Sequence, residues 1–427
     1  MRLRIEKAIY GGAGLARHEG KAIFVPFTLP GEEVDAHIAR DKGGYATAEL
    51  DAVLEAGAAR VASACPHFGA CGGCHYQHAD CATQVAMKLA ILREALERAH
   101  IREIPEIAAV TGEPLGYRNR VRLHVRANPF SLCYKLRNSH EDLPIRECPI
   151  ATPSLQRAIE AVNREGESLG LGDAAREIEL FADAEGTAML VSLWTKLAAQ
   201  KAERRLKDLW PRLQQIVPQA VGAAVSSAEE GRGLSKRLAQ IGEESLCWRA
   251  AGCDYRVSIG SFFQVNRFLV EALVRLVTED ERGGTAWDLY AGVGLFSVPL
   301  AARFGEVTAV ESAAGPVRDL RENLRGARHR VVASETAKFL RRAVEKSAPA
   351  PDLVVVDPPR AGLGREVTAA LRKLRPPRIT YVSCDPATLS RDLAALLESG
   401  YRLRKMHLVD LFPQTFHLES VTHLALE

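Results

Sequence analysis

From about residue 256 to its end, the chain alternates short apolar runs with longer amphipathic stretches, and this alternation constrains the fold most. Apolar runs of about four to eight residues beside turn signals are typical of buried strands, and longer periodic stretches are typical of helices. Strands are expected at 285–290, 307–311, 352–357, 378–383, 401–409 and 419–426, with helices at 295–303, 315–324 and 387–399. This order predicts an α/β fold, in which a terminal hairpin closes a doubly wound sheet.

Two further domains are expected in front of that sheet, because 427 residues exceed the length of a typical domain. Residues 1–60 show short apolar runs cut by glycine and proline turns, which predicts a small OB-like β-barrel. Residues 61–255 combine a cysteine-rich segment, a helix at 83–99 and short strands, which predicts a central α+β domain. Residues 256–427 form the α/β domain of this three-domain prediction.

Charge and cysteine content narrow the class of protein. The formal net charge of +3 is too small to indicate a nucleic-acid partner, so any basic surface has to be local. The first residues lack the apolar core of a signal peptide, and no apolar run approaches the ~20 residues of a membrane span. We therefore expect a cytoplasmic, monomeric protein without membrane contact, whose nine cysteines serve metal binding or catalysis rather than disulfides.

Cys384 directly follows the predicted strand 378–383. The carboxyl edge of a parallel sheet is where open α/β folds carry out their chemistry, so a cysteine at this position is a candidate nucleophile. The alternative is a small apolar residue that fills a strand end, as most single cysteines do.

A glycine turn between a strand and a helix predicts a nucleotide-type site. Gly292 and Gly294 follow the strand that carries Asp288, and glycines there let the backbone approach a ligand closely. Glu311 ends the next strand, where a carboxylate accepts hydrogen bonds from ribose hydroxyls. Ser297 stands where a dinucleotide site would carry a third glycine, so the pattern favours an adenosine ligand such as S-adenosylmethionine.

Arg118, Arg120, Arg122 and Arg126 occupy alternate positions of a predicted strand, with His124 at the remaining one. Aliphatic residues fill the positions between them, so a strand would place the basic side chains in one row on one face. A row of one sign is costly unless an anionic group meets it. The pattern favours phosphate contact over an ordinary solvated strand.

Cys65, Cys71 and Cys74 lie close together in the sequence, and Cys148 is a distant fourth. Three nearby thiols separated by glycines are able to surround one soft metal centre. Their spacing does not distinguish an iron–sulfur cluster from a four-thiolate zinc site, so both alternatives remain open.

Several ordered motifs are shared with one family, and together they extend over nearly the whole chain. The motifs are Ser261-Phe262-Phe263-Gln264-Val265-Asn266, Asp357-Pro358-Pro359-Arg360, Ser383-Cys384-Asp385-Pro386-Ala387-Thr388-Leu389 and Phe412-Pro413-Gln414-Thr415-Phe416-His417-Leu418-Glu419. With them the chain resembles the RNA uracil-C5 methyltransferases, which make 5-methyluridine. Residues 1–60 resemble the TRAM domain, an RNA-binding barrel found in many members.

The resemblance implies a class I, Rossmann-like methyltransferase domain and a role for each matching residue. Cys384 matches the nucleophile that adds to C6 of uracil, and Glu419 matches the base that removes the C5 proton. The positions that match S-adenosylmethionine contacts are Gln264, Tyr290, Glu311 and Asp357. The positions that match ligands of a [4Fe-4S] cluster, with zinc as the alternative, are Cys65, Cys71, Cys74 and Cys148.

The resemblance also implies an RNA substrate. The barrel and the cysteines together favour a specific uridine of 23S rRNA, with tRNA as the alternative. Two other functions remain open. One is methylation of another nucleic-acid atom, and the other is an RNA-binding or chaperone function with an inactive methyltransferase fold. Asp385 departs from the family pattern, which has asparagine there, and a negative charge beside Cys384 is expected to raise the pKa of the thiol.

Overall fold

The computed structural model describes residues 1–228 and 236–427, and its first sheet is built from residues near the amino terminus. Its strands are β1 (Arg2–Arg4), β2 (Lys7–Ala8), β3 (Ala13–His18), β4 (Lys21–Pro26), β5 (Glu33–Asp41) and β6 (Tyr45–Glu55). Their order is β1-β5-β6-β4-β3-β2, with β4 parallel to β6 and the other neighbours antiparallel. Ile23, Val25 and Val34 are buried in its core, so this region has its own apolar interior.

A second sheet dominates the central region. The elements, in chain order, are α1 (Cys81–Arg98), β7 (Ile107–Val110), β8 (Arg120–Ala127), β9 (Phe130–Lys135), β10 (Asp142–Pro144), α2 (Pro153–Glu165), α3 (Leu171–Ala174), β11 (Glu177–Ala182), β12 (Met189–Thr195), α4 (Ala199–Ile216), β13 (Ala220–Ser227), β14 (Arg237–Gly242), β15 (Ser245–Ala250) and β16 (Cys253–Ser258). Seven of the strands form the sheet β10-β9-β8-β11-β12-β13-β14, and β15 pairs with β16 as a hairpin.

The third region alternates strands and helices. Its elements are α5 (Val270–Thr278), β17 (Gly283–Leu289), α6 (Ser297–Ala301), β18 (Phe304–Glu311), α7 (Ala314–Asn323), β19 (His329–Ala333), α8 (Thr336–Glu345), β20 (Leu353–Val356), α9 (Gly364–Leu374), β21 (Arg378–Ser383), α10 (Pro386–Leu397), β22 (Tyr401–Val409) and β23 (Glu419–Leu426). The sheet order is β19-β18-β17-β20-β21-β23-β22-β7. Strands β17 to β21 run parallel, and β23 is antiparallel to both neighbours, as the predicted closing hairpin requires.

Strand β7 departs from the expected division of the chain at residue 256. It comes from the central region, yet it pairs in parallel with β22 at the edge of the third sheet. Helix α1, which precedes β7 in the chain, also packs on this domain. Its Leu92 and Leu96 share an apolar core with Leu389 and Leu393 of α10. Burial of each such leucine contributes about 1.5–3 kcal/mol, so α1 is packed firmly against the carboxyl-terminal domain.

The strands predicted at 378–383, 401–409 and 419–426 have the predicted bounds. Helix α6 is shorter than the predicted 295–303, because the glycine turn continues through residue 296. Within the part of the chain that the structure describes, none of the helices has the length and apolar character needed to cross a membrane.

Candidate active site

Four parallel strands place side chains at one edge of the third sheet. Strands β17, β18, β20 and β21 share a direction, so their carboxyl ends meet at that edge. Tyr290 follows β17, Glu311 ends β18, Asp357 follows β20 and Cys384 follows β21. The structure therefore brings these four predicted site residues to one face of the domain.

Strand β23 adds the fifth residue. It pairs with β21 in a register that sets Ser383 opposite Ser420, so Cys384 lies opposite Glu419 where the two strands end. The sequence analysis placed both residues in one site by resemblance alone. The register supplies the physical reason, because it joins positions that are 35 residues apart in the chain.

Cys384 is a partly exposed thiol surrounded by carboxylates. Burial raises its pKa to about 12, and the nearby charges of Glu419, Asp357 and, to a smaller degree, Asp385 act in the same direction. The guanidinium of Arg360 opposes them. A thiol with this pKa is almost wholly protonated near neutral pH, so it has to lose its proton as it attacks.

Glu419 is 4% exposed, and its Oε1 has no hydrogen-bond partner among the described residues. Burial raises the pKa of this carboxyl well above its usual range, and the Asp357 carboxylate adds to the shift. A carboxylate with a raised pKa is a stronger base once it is ionised. The environment of Glu419 is therefore suited to proton abstraction.

The glycine turn and Glu311 form the second half of the site. One oxygen of the Glu311 carboxylate accepts a hydrogen bond from the Gly292 N–H (3.0 Å), and the other accepts one from the Ala313 N–H (2.7 Å). The oxygen that binds Ala313 also accepts from the Ser312 N–H (2.7 Å), so the Gly292-bound oxygen is the one that keeps a lone pair for a ribose hydroxyl. Tyr290 has a positive φ of 64°, in the left-handed region, which turns the chain sharply after β17.

Asp288 is a buried carboxyl group next to that half of the site. It is completely buried in β17 and accepts a hydrogen bond from the Ser297 hydroxyl. Burial raises its pKa to about 7, and its charge raises the pKa of the neighbouring Asp357 in turn. Gln264 is also buried, and its backbone carbonyl accepts a hydrogen bond from the side-chain amide of Asn119 (3.2 Å), just before β8.

Asp385 has a structural role that the sequence analysis did not predict. Its Oδ1 accepts hydrogen bonds from the N–H groups of Ala387 (3.0 Å) and Thr388 (2.9 Å), which makes it the N-cap of α10. Its charge also raises the pKa of the Cys384 thiol, in the direction expected.

Tyr10 is a site residue that the sequence analysis missed. Its hydroxyl donates a hydrogen bond to the carbonyl of Cys384 (3.3 Å), and its ring packs edge-on against Phe416 at 5.3 Å. Tyr10 belongs to the amino-terminal region, 374 residues from Cys384. No local pattern signals such a contact, because it depends on how two domains dock.

The four cysteines predicted as metal ligands line one cavity. Cys65, Cys71, Cys74 and Cys148 surround a space of about 540 Å³ that also reaches Arg118, Arg360 and His417. Burial raises the pKa of each thiol, and the charge of Cys148 raises that of the other three further.

Among residues 1–228 and 236–427, no group of three or more His, Cys, Asp or Glu side chains lies close enough to hold one metal ion. An iron–sulfur cluster at these cysteines, with zinc as the alternative, stays a prediction.

Arg120, Arg122 and Arg126 lie on β8 of the second sheet and Arg118 precedes that strand, but the arginines are not free of partners. Arg122 forms an ion pair with Glu177 of the neighbouring strand and stacks over Trp194 at 3.8 Å, and Arg120 stacks over Phe181 at 3.9 Å. Arg122 therefore has a carboxylate partner within the protein, supplied by β11. Phosphate binding by the four arginines remains a prediction.

Comparison with known proteins identifies two matching family models. The model of tRNA (uracil-5-)-methyltransferases matches residues 204–426, and that of the TRAM domain matches residues 1–50.

Several relatives match over nearly the whole chain. An uncharacterized RNA methyltransferase of Aquifex aeolicus is 33% identical over 99% of this chain and 98% of its own length. The 23S rRNA (uracil(1939)-C(5))-methyltransferase RlmD of Azoarcus sp. is 35% identical over 98% of each. RlmD of Pectobacterium carotovorum subsp. carotovorum is 32% identical over 96% of this chain and 90% of that protein.

A solved structure matches the complete fold. The tRNA (uracil-54, C5)-methyltransferase of Pyrococcus abyssi, in complex with S-adenosyl-L-homocysteine, aligns with a TM-score of 0.78 and 25% identity over 100% of both chains. The predicted class I methyltransferase fold and the amino-terminal TRAM domain are thereby confirmed.

Proposed function

Because the chain belongs to the tRNA (uracil-5-)-methyltransferase family, and is thus an S-adenosylmethionine-dependent RNA uracil-C5 methyltransferase, we propose that it methylates a specific uridine of 23S rRNA. Relatives that carry this activity in their names match at 32–35% identity over nearly the full chain. The membership selects C5 of uracil over another nucleic-acid atom as the target.

The observation that carries the proposed mechanism is the pairing of β21 with β23. It sets the Cys384 thiol against the Glu419 carboxyl, beside the edge that also holds Glu311 and Asp357. A nucleophile and a base in one site are what a poor carbon nucleophile such as uracil C5 requires.

Cys384 starts the reaction. The Cys384 thiol gives its proton to water as its sulfur adds to C6 of the uracil ring, and the electrons of the C5=C6 bond move into the ring to form an enolate with electron density at C5. S-Adenosylmethionine supplies the methyl group that C5 attacks. The target base leaves its stack to reach the thiol, as in other enzymes that modify a base atom.

Glu419 ends the reaction. It removes the proton from the methylated C5, the electrons of that C–H bond restore the C5=C6 bond, and Cys384 leaves as a thiolate. The raised pKa of Glu419 favours this transfer, because a stronger base lowers the barrier to C–H cleavage.

The methyl donor is proposed to lie between the glycine turn and Cys384. Glu311 is placed to accept hydrogen bonds from the ribose, with Tyr290 and Gln264 beside the ligand. Asp357 stands between the donor side and Glu419, since its charge acts on both Cys384 and Glu419.

The cysteine cavity is proposed to hold a [4Fe-4S] cluster bound by Cys65, Cys71, Cys74 and Cys148. Its role would be to order the segment that leads into α1. Protein purified without oxygen is expected to be brown with about four irons per chain. Colourless protein with one zinc per chain would overturn this assignment.

RNA is proposed to bind along the TRAM domain and the face that carries Arg118, Arg120, Arg122 and Arg126. Arg118 also lines the cysteine cavity, which extends to Arg360 beside Cys384. Arg118 and Arg360 thus bring two cations, which are suited to RNA phosphates, to the part of the molecule that carries the thiol.

Methyl transfer from radiolabelled S-adenosylmethionine to 23S rRNA tests the proposal. The wild-type protein is expected to label a single uridine, Cys384→Ala is expected to label none, and Glu419→Gln is expected to leave a covalent RNA–protein adduct stable to denaturant. Labelling by Cys384→Ala at the wild-type rate would refute the thiol mechanism.

A tRNA uridine is the second candidate substrate, because the Pyrococcus abyssi enzyme with the matching fold acts on tRNA. Parallel assays with 23S rRNA and unmodified tRNA distinguish the two. We expect labelling of the ribosomal RNA, and labelling of tRNA alone would reverse the choice.

A further inference from the structure

Residues 410–418, between β22 and β23, lead directly into Glu419 and are called the base loop below. Four consecutive carbonyls of this loop accept hydrogen bonds from other segments of the chain. The bonds run from Asn266 Nδ2 to Leu411 (3.0 Å), from Lys88 Nζ to Phe412 (2.9 Å), from Tyr117 Oη to Pro413 (3.0 Å) and from the N–H groups of His75 and Tyr76 to Gln414 (2.8 and 3.0 Å). The conformation of the base loop is therefore set largely by what surrounds it.

Two buried side chains of α1, Gln84 and Lys88, also bind side chains of the base loop. Lys88 forms an ion pair with Asp410 at 2.6 Å, and the two side chains are 0% and 7% exposed. The Gln84 amide donates to Gln414 Oε1 (3.0 Å), and its own oxygen accepts from the Gln414 N–H (2.8 Å). Gln414 has a positive φ of 68°, an uncommon conformation for this residue type that the surrounding bonds hold in place.

The other side of the base loop faces the active site. Phe416 packs against Tyr10, and His417 Nδ1 lies 3.1 Å from the Arg360 guanidinium. Glu419 pairs with Val409 of β22, next to Asp410 of the base loop, and the following Ser420 pairs with Ser383 of β21. These strands fix the backbone of Glu419, whereas its Oε1 has no hydrogen-bond partner among the described residues. The direction of this carboxyl is therefore open to the packing of the adjoining loop.

We infer that Gln84 and Lys88 are positioning residues for the base: α1 holds the base loop so that the Glu419 carboxyl faces C5 of the bound uracil. The inference rests on the proposed function, in which Glu419 removes the C5 proton. Helix α1 begins at Cys81, shortly after the cysteine segment. The same helix therefore connects the cysteine cavity to the base loop that precedes Glu419.

Displacement of the Glu419 carboxyl is expected to slow removal of the C5 proton and to leave the earlier steps unchanged. Addition of Cys384 and transfer of the methyl group do not need Glu419, whereas release of the product does. If the attachment between α1 and the base loop is lost, methylated RNA bound covalently to Cys384 is therefore expected to accumulate. A purely structural role of α1 would lower all steps together and would not accumulate that species.

The primary variant is Gln84→Met, which removes the amide bonds to Gln414 and to the Ala79 carbonyl (2.9 Å) without creating a charge. Single-turnover reactions with methyl-labelled S-adenosylmethionine are expected to form the adduct at the wild-type rate and to release product about 10- to 100-fold more slowly. The KM for RNA is expected to stay unchanged. Denaturing gels measure the labelled adduct, with Glu419→Gln as the reference for complete trapping.

The matched control is Gln156→Met. Gln156 lies on α2, and its amide also donates a hydrogen bond to a carbonyl, that of Ala151 at 3.1 Å, but away from the base loop. Its variant is expected to release product at the wild-type rate.

Lys88→Met by itself leaves the Asp410 carboxylate buried without its cation, which destabilises the fold. The double variant Lys88→Met/Asp410→Leu removes both charges and is expected to accumulate the adduct as Gln84→Met does.

Two outcomes separate this inference from the mechanism beneath it. If Glu419→Gln traps the adduct but Gln84→Met and the double variant release product at the wild-type rate, or lose adduct formation and turnover in equal measure, the positioning role is refuted and the proposed function stands. If Glu419→Gln forms no adduct, the proposed mechanism fails and this inference fails with it.

Discussion

The thiol of Cys384 shows how a single residue is tuned by its surroundings. Three carboxyl groups lie near it, from Glu419, Asp357 and Asp385, and one guanidinium opposes them. Burial and these charges favour the protonated thiol, the form that reacts slowly with alkylating and oxidising agents. The proton of the Cys384 thiol therefore has to be transferred in the substrate complex when the sulfur attacks.

Removal of a neighbouring carboxylate is expected to make this thiol more reactive. Because the pKa of Cys384 lies near 12, its thiolate fraction rises about tenfold per pH unit between pH 7 and 10, with no plateau. Once these carboxyls are ionised, Glu419→Gln and Asp357→Asn each remove a charge that raises the pKa of Cys384, so iodoacetamide is expected to alkylate Cys384 faster toward pH 10. Mass spectrometry of the Cys384 peptide measures the rate.

The matched control for alkylation is Asp352→Asn. Asp352 precedes β20, at the opposite end of the strand from Asp357, and bonds to the N–H groups of Gly284 and Thr285. Its variant is expected to leave the alkylation rate unchanged, and equal acceleration by all three variants would contradict the electrostatic explanation.

Helix α10 shows how one element supports the site. It begins with Asp385 as N-cap and Pro386 in its first turn, a combination that satisfies free N–H groups and fixes the backbone angle. The same residues follow Cys384 directly. The cap therefore sets the direction in which the chain leaves the nucleophile.

The cap and the charge of Asp385 are separable. Asp385→Ala removes both and is expected to lower the free energy of unfolding by about 1 kcal/mol. Asp385→Asn keeps the cap, since asparagine caps about as well as aspartate. Its free energy of unfolding is expected to change by only about a few tenths of a kcal/mol. Urea unfolding measures both, and equal losses would show that the cap contributes little.

At the scale of the whole molecule, segments from all three regions meet around Cys384. Tyr10 reaches it from the TRAM domain, α1 holds the base loop, and β7 extends the catalytic sheet from the central region. An RNA that docks on the outer regions is thus in contact with elements that touch the active site.

Arg118 and Arg122 are expected to differ in RNA binding. Arg118 lines the cysteine cavity and has no carboxylate partner among the ion pairs of the described residues, whereas Arg122 is paired with Glu177. Arg118→Gln is expected to weaken binding uniformly and to reduce the slope of log K against log salt by about 1. Arg122→Gln serves as control with a smaller change, and equal slopes for both variants would contradict the assigned path.

The sequence by itself determined what depends on neighbours along the chain. Apolar runs and turn residues predicted β21, β22 and β23 with their bounds, because local patterning decides which short segments become strands. The ordered motifs predicted the family, the methyltransferase fold and the methyl donor, and the comparisons confirmed all three.

Only the tertiary structure decided the contacts between distant segments. The register of β21 with β23, the edge strand β7, the carboxylate partner of Arg122, the reach of Tyr10 to Cys384 and the attachment of the base loop to α1 all join residues far apart in sequence. Such contacts follow from how completed elements pack, and residues near each other in the chain carry no signal for them.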